Sequence, residues 1–82
     1  GHHAAGVVAE RERMAREIHD TLAQGFTSVI MLTQTAVADL RRDDREAAVA
    51  RIELAERTAR DNLAEARALA AAFSPVALDG VT

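Results

Sequence analysis

Three side chains within EIHDTLAQ, residues 17–24, have the types and spacing to move a group. His19 offers an imidazole, a good nucleophile near neutral pH. Asp20 follows it directly. A carboxylate that accepts from one ring nitrogen fixes the tautomer and leaves the other nitrogen free and more nucleophilic. The acid of a serine-protease triad orients its histidine in the same way. Gln24 comes four residues after Asp20, so a helix stacks the two on one side. A neutral amide there can orient a water molecule without delivering charge. Taken alone, a histidine at the edge of a helical stripe is more often structural, and the His19–Asp20 pair by itself assigns nothing.

The element that must carry these residues runs from Val7 to Leu40, without proline and with one glycine. Apolar or small residues recur at Ala15, Ile18, Leu22, Phe26, Val29, Thr33, Ala36 or Val37, and Leu40. Steps of three and four are the helical period. Ile18 and Leu22 mark the stripe, which puts His19 one step off it, at the boundary with solvent. Glu12 with Arg16, Arg13 with Glu17, and Arg16 with Asp20 have the i,i+4 spacing of wet-face ion pairs, each contributing a few tenths of a kcal/mol at about 0.3. Arg13 and Arg16 are expected first as solvated ion-pair partners, with contact to phosphate charge as the alternative. Thr27, Ser28 and Thr33 are expected to hydrogen-bond back to the helix. Phe26 is expected in the core, with docking of a partner as the alternative. Gly25, costly inside a helix at roughly 1 kcal/mol against alanine, reads either as a bendable point or as a place of close packing or room for a docked partner.

RRDDR, residues 41–45, breaks the pattern, and Asp43 or Asp44 can cap a following helix. Glu46 then suits the positive end of that helix dipole. The second pattern, Ala48, Ile52, Ala55, Ala59, Asn62, Ala66, Leu69, Phe73, is a heptad seam. Val49, Leu63 and Ala70 widen it. Asn62 is either a polar interruption that sets register or a residue at the seam's edge. Ser74-Pro75 ends the helix, because proline disfavours a helical residue before it. The expected architecture is all-α: an antiparallel helical hairpin, helix 7–41, turn 41–45, helix 45–74, that dimerises on a two-fold axis into a four-helix bundle. Residues 1–6 read as a tag remnant or disordered terminus, and residues 75–82 as the start of a linker to an absent domain.

Composition excludes several classes. With 82 residues there is at most one domain, and a core this small is marginal alone. Without cysteine there is no disulfide or thiolate metal site. Two phenylalanines are too few for an aromatic ligand pocket or a base-stacking surface. A net charge of −3 with interspersed signs is no nucleic-acid footprint. No apolar run nears the roughly 18 residues of a membrane span, so no direct membrane contact is expected. Ten arginines and no lysine point to a GC-rich bacterial genome.

The string ERERMAREIHDTLAQGFTSVIMLTQTA decides between structural and chemical readings. It closely resembles the first helix of the dimerisation and histidine-phosphotransfer domain of bacterial sensor histidine kinases, in the subfamily of nitrate-sensor and desaturase-sensor kinases. The hallmark H-D-x-x-x-Q reads here as His19-Asp20-Thr21-Leu22-Ala23-Gln24, after Arg16-Glu17-Ile18. The second helix is similar in pattern only. The resemblance spans residues 7 to about 78, and about 20 of them carry it. It implies that His19 is the phospho-acceptor, that Asp20 helps it act as nucleophile, and that Gln24 positions water for dephosphorylation of the partner. It also implies a homodimer, a response-regulator receiver domain that takes the phosphoryl group on an aspartate, and a cytoplasmic location. ATP and Mg²⁺ would bind a separate catalytic domain following the second helix. No glycine-rich ATP lid or asparagine-bearing nucleotide box occurs in the chain, so no cofactor is expected here and the chain reads as one part of a phosphotransferase. The rival expectations are a purely structural coiled-coil dimeriser and a monomeric phosphotransfer protein, which usually needs four helices from one chain.

Overall fold

The computed structural model describes residues 2–73, with side-chain environments for residues 6–73. Two helices account for them: α1, His2–Arg41, and α2, Arg45–Phe73. They pack side by side as an antiparallel hairpin of 63 × 25 × 12 Å. That cross-section is a single layer two helices wide, each helix being about 10–12 Å across. The fold class expected from the hydrophobic period is therefore the one found. Helix α1 begins five residues before the expected start at 7, and the Ser74-Pro75 stop lies outside the described residues.

The turn is closed by backbone geometry. Asp43 adopts φ 58°, the left-handed conformation that ends many helices. The Asp44 amide donates to the Asp39 carbonyl at 2.8 Å and the Asp43 amide to the Leu40 carbonyl at 3.0 Å. These two bonds form a Schellman closure, satisfying carbonyls that the end of a helix would leave free. Asp44 then starts α2. Its Oδ1 accepts the Ala47 amide at 3.1 Å, and its carbonyl accepts the Ala48 amide at 3.1 Å. Of the two candidate caps, Asp44 is the cap and Asp43 supplies the left-handed turn. Glu46 lies in the first turn of α2 as expected.

The seam between the helices differs from the expected one on α1. Gly25, Ala36 and Asp39 are buried and Met14, Ile18, Leu22, Val29 and Leu32 half-buried. Phe26, Thr33 and Leu40 are exposed, Phe26 by 66%. The stripe is rotated by about one residue over its second half. On α2, Ala48, Ala55 and Ala66 are buried, whereas Ile52, Ala59, Val49 and Leu63 are exposed. Gly25 faces Asn62. Because antiparallel helices run past each other one residue for one, Leu32 then stands level with Ala55, Asp39 with Ala48, Ile18 with Leu69 and Met14 with Phe73. All of those are buried or half-buried. A glycine and alanines let the backbones approach closely, but the fully buried apolar residues are four alanines: Ala36, Ala48, Ala55 and Ala66. Each contributes little burial.

The larger apolar side chains lie beside this seam. Leu22, Phe26 and Val29 line a shallow groove with Ala59 and Leu63, and Leu40 lines another with Val49 and Ile52 nearer the turn. The residues expected in a single seam therefore divide between two faces. One joins α1 to α2. The other is open.

Candidate functional site

His19 and Asp20 sit midway along α1. No proline or capping residue interrupts the helix there, so the backbone holds both side chains on a rigid rod. Their side chains are 82% and 84% exposed. His19 Nδ1 lies 3.7 Å from Asp20 Oδ1. That separation is an electrostatic pairing rather than a hydrogen bond, which needs about 2.7–3.2 Å. A small side-chain rotation closes it. The geometry offers Nδ1 to the carboxylate and leaves Nε2 on the solvent side. Gln24 is exposed on the next turn, with no hydrogen bond holding its amide among the described residues. The three sequence-derived residues thus share one exposed segment, and only His19 and Asp20 approach each other.

The basic residues ahead of them divide differently from the sequence expectation. Arg13 bridges two acids: Nη1 reaches Glu17 Oε1 at 2.5 Å and Nη2 reaches Glu10 Oε1 at 2.5 Å. The hydrogen bond from Arg13 holds the Glu10 carboxyl below the ordinary carboxylate range, and the same contact raises the Arg13 guanidinium. The expected Arg13–Glu17 pair is therefore present. The Glu12–Arg16 and Arg16–Asp20 pairs are not among the ion pairs of the described residues, and Asp20 keeps its carboxylate for His19. Thr27 and Ser28 donate to the Ala23 and Gln24 carbonyls at 2.8 and 3.1 Å, and Thr33 to the Ile30 carbonyl at 2.8 Å. Those hydroxyls are occupied with their own helix, as expected.

Two polar residues matter more than their sequence positions suggest. Asn62 Nδ2 donates to the Thr21 carbonyl at 2.5 Å, across the helix interface and two residues beyond His19. Gly25 is buried beneath the Asn62 carboxamide. A Cβ on Gly25 would have Asn62 Cγ, Oδ1 and Nδ2 all within 2.5 Å. Close packing is thus what Gly25 provides, and Asn62 is an interhelical tie rather than an edge residue. Asp39 was not anticipated as a site residue. It is fully enclosed. Its Oδ1 accepts from Arg42 Nη2 at 2.5 Å, and Oδ2 stands 3.6 Å from Arg51 Nε on α2, without a hydrogen bond. The signal for it was its place seven residues after Leu32 and fourteen after Gly25, which an apolar search passes over.

The chain that carries this exposed His19–Asp20 pair on a two-helix hairpin also matches a known family. Residues 10–78 match the family model HisKA_3, described as histidine kinase. The chain belongs to that family. It is also similar to the sensor histidine kinase LiaS of Bacillus subtilis (strain 168), 37% identical over 71 residues, covering 87% of this chain and 19% of that relative. The chain spans about a fifth of the length of this curated relative. No solved structure gives a significant match. The histidine kinase resemblance read from HDTLAQ therefore holds, and the chain is a phospho-acceptor and dimerisation domain of a two-component sensor histidine kinase. Among the described residues no helix is long and apolar enough to cross a membrane, and no group of acidic or histidine side chains is arranged to hold a metal ion.

Proposed function

We propose that His19 is the phospho-acceptor of this domain. The observation that carries the reading is the 3.7 Å approach of Asp20 to His19 Nδ1, with both side chains open to solvent. Nε2 attacks the γ-phosphorus of ATP, the bond to the bridging oxygen breaks, and ADP leaves. The proton displaced from the ring passes to Asp20 or to water. Asp20 acts by holding the tautomer and stabilising positive charge on the ring. ATP and its Mg²⁺ are held by a separate nucleotide-binding domain of the kinase. In the second step an aspartate oxygen of a response-regulator receiver attacks phosphorus, the P–N bond breaks, and the imidazole leaves. Gln24, a turn further on, orients the water that hydrolyses the regulator's acyl phosphate. The reaction places the domain in the cytoplasm, where ATP is.

The open apolar face is covered by a second copy of the chain. Phe26, Val37 and Leu40 lie on α1 and Val49, Ile52 and Leu63 on α2, all exposed by 44% or more. Burial of such side chains contributes roughly 1.5–3 kcal/mol each. These side chains are already about half-covered within the hairpin, so a second copy adds roughly half of that for each. Two hairpins pressed together on this face form a four-helix bundle.

The test supplies a nucleotide-binding domain of a LiaS-type kinase in trans with γ-labelled ATP, then adds a receiver domain. The expected result is acid-labile label on the chain that chases to the receiver and is absent from His19→Gln. A folded, dimeric wild-type chain that takes no label, beside a nucleotide-binding domain proven to bind ATP, would leave only a structural dimeriser.

A further inference from the structure

The turn that carries His19, Asp20 and Gln24 is tied to α2 by one directional contact, the bond from Asn62 Nδ2 to the Thr21 carbonyl. Around it the interface is made mainly of apolar side chains, Ile18, Leu22 and Val29 from α1 and Ala66 and Leu69 from α2, and the half-buried Ser28 donates within its own helix. Such packing resists separation but is tolerant of small rotation and sliding, because it has no directional partner to lose. A hydrogen bond weakens steeply when its geometry is turned. The carbonyl involved is also the one that the α-helical ladder pairs with the Gly25 amide. Asn62 therefore grips the backbone of the acceptor turn itself. Gly25 makes this possible, since any Cβ there occupies the place of the carboxamide.

We propose that Asn62 is a positioning residue for phosphoryl transfer at His19, acting through the Thr21 carbonyl to hold the acceptor turn at one rotation relative to α2. The inference rests on His19 being the acceptor. A partner domain that approaches the hairpin rests on both helices, so a change in the rotation of α1 against α2 moves His19 relative to the docked phosphoryl group. Misplacement on the scale of 1 Å costs up to about a hundredfold in rate. Asn62 does not touch phosphate in this account. It sets where the nucleophile stands.

The arrangement permits a test that separates positioning from space-filling. Gly25→Ala expels the carboxamide. Asn62→Ala removes it and leaves a gap over Gly25. The double variant Gly25→Ala/Asn62→Ala refills that gap with a methyl group and gains helix propensity. All three lose the bond to Thr21. Label transfer to His19 from the nucleotide-binding domain in trans is measured beside urea unfolding, at a temperature where every variant is folded. The expected result is that the double variant recovers wild-type stability or exceeds it, yet labels about tenfold more slowly, like the single variants. Recovery of rate together with stability would overturn the proposal and make Asn62 a packing residue. A wild-type chain that takes no label at all would instead sink the acceptor reading. Asn62 is the single asparagine of the chain, so selective ¹⁵N-asparagine labelling checks the bond directly. The expected signal is a side-chain amide protected from exchange in the wild type and released in Gly25→Ala. A water-like amide in the wild type would also overturn the proposal.

Discussion

Asp39 and Asp20 are the same residue on the same helix, in opposite circumstances. Asp39, beside the turn, has its carboxylate enclosed between Arg42 of the turn and Arg51 of α2. Around it the Schellman closure and the Asp44 cap use the backbone groups that the two helix ends present. Asp20, toward the other end, is 84% exposed and faces only His19. Polar groups at the turn end are consumed by structure. Around His19 the hydroxyls are tied to their own helix, Arg13 is held between two acids, and the His19–Asp20 pair is open to solvent. Groups left unspent on folding are the ones available for chemistry.

The open apolar face is a third region, and a charge placed on it has the largest expected effect. Ile52→Glu puts a carboxylate into each half of a two-fold interface, far along α2 from Asn62. Association should weaken on the order of 4 kcal/mol, about a thousandfold. Because the internal seam is built on alanines, the separated chains should lose helicity as they dissociate. Sedimentation and circular dichroism read both. A wild-type chain that is a folded monomer at micromolar concentration would contradict the account of this face.

The two aspartates should then cross over. Asp39→Ala takes the hydrogen-bond acceptor from Arg42 and the counter-charge from Arg51, and should cost about 2 kcal/mol in urea unfolding, with His19 labelling unchanged where the protein is folded. Asp20→Ala should leave stability within about 0.5 kcal/mol and slow labelling about a hundredfold. If both variants moved stability and rate together, the division between the ends would fail.

Much of this was legible in the sequence, and the losses have a physical cause. Both helices and the turn follow from period and capping chemistry, which left Asp43 and Asp44 as alternative caps, and the HDTLAQ segment stood out through its resemblance to a family rather than through spacing alone. The seam of α1 did not, because α1 carries two apolar faces at once. Phe26 and Leu40 are the most conspicuous apolar residues in their turns, yet they are exposed in the hairpin. Gly25, Leu32 and Asp39, one step before Phe26, Thr33 and Leu40, face α2 instead. A search for the largest apolar side chain every three or four residues selects the open face and misses a seam made of glycine, alanine and an acid. Asn62 was visible as an interruption, but its partner is a backbone carbonyl, which has no sequence signature.

The smallest expected effect concerns the start of α1, which α2 does not cover. Arg13 lowers the Glu10 carboxyl from its ordinary value of 4.5. That contact supports the helix fully above the ordinary value, and the support is lost as pH falls through the lowered one. Amide protection factors over residues 7–13, taken against the intrinsic rate at each pH, should fall on acidification before those at the turn do. Equal protection of both segments down to pH 2 would remove any role for the Glu10–Arg13–Glu17 bridge.

The central claim is that the open His19–Asp20 pair is the chemical site, with Nδ1 toward the acid and Nε2 toward the donor. Phosphorus and nitrogen NMR of the labelled chain test it most directly, since the two phosphohistidine isomers have distinct signals and His2 and His3 provide internal controls. The account predicts phosphate on Nε2 of His19 alone. Phosphate on Nδ1, or on either of the other histidines, would contradict it.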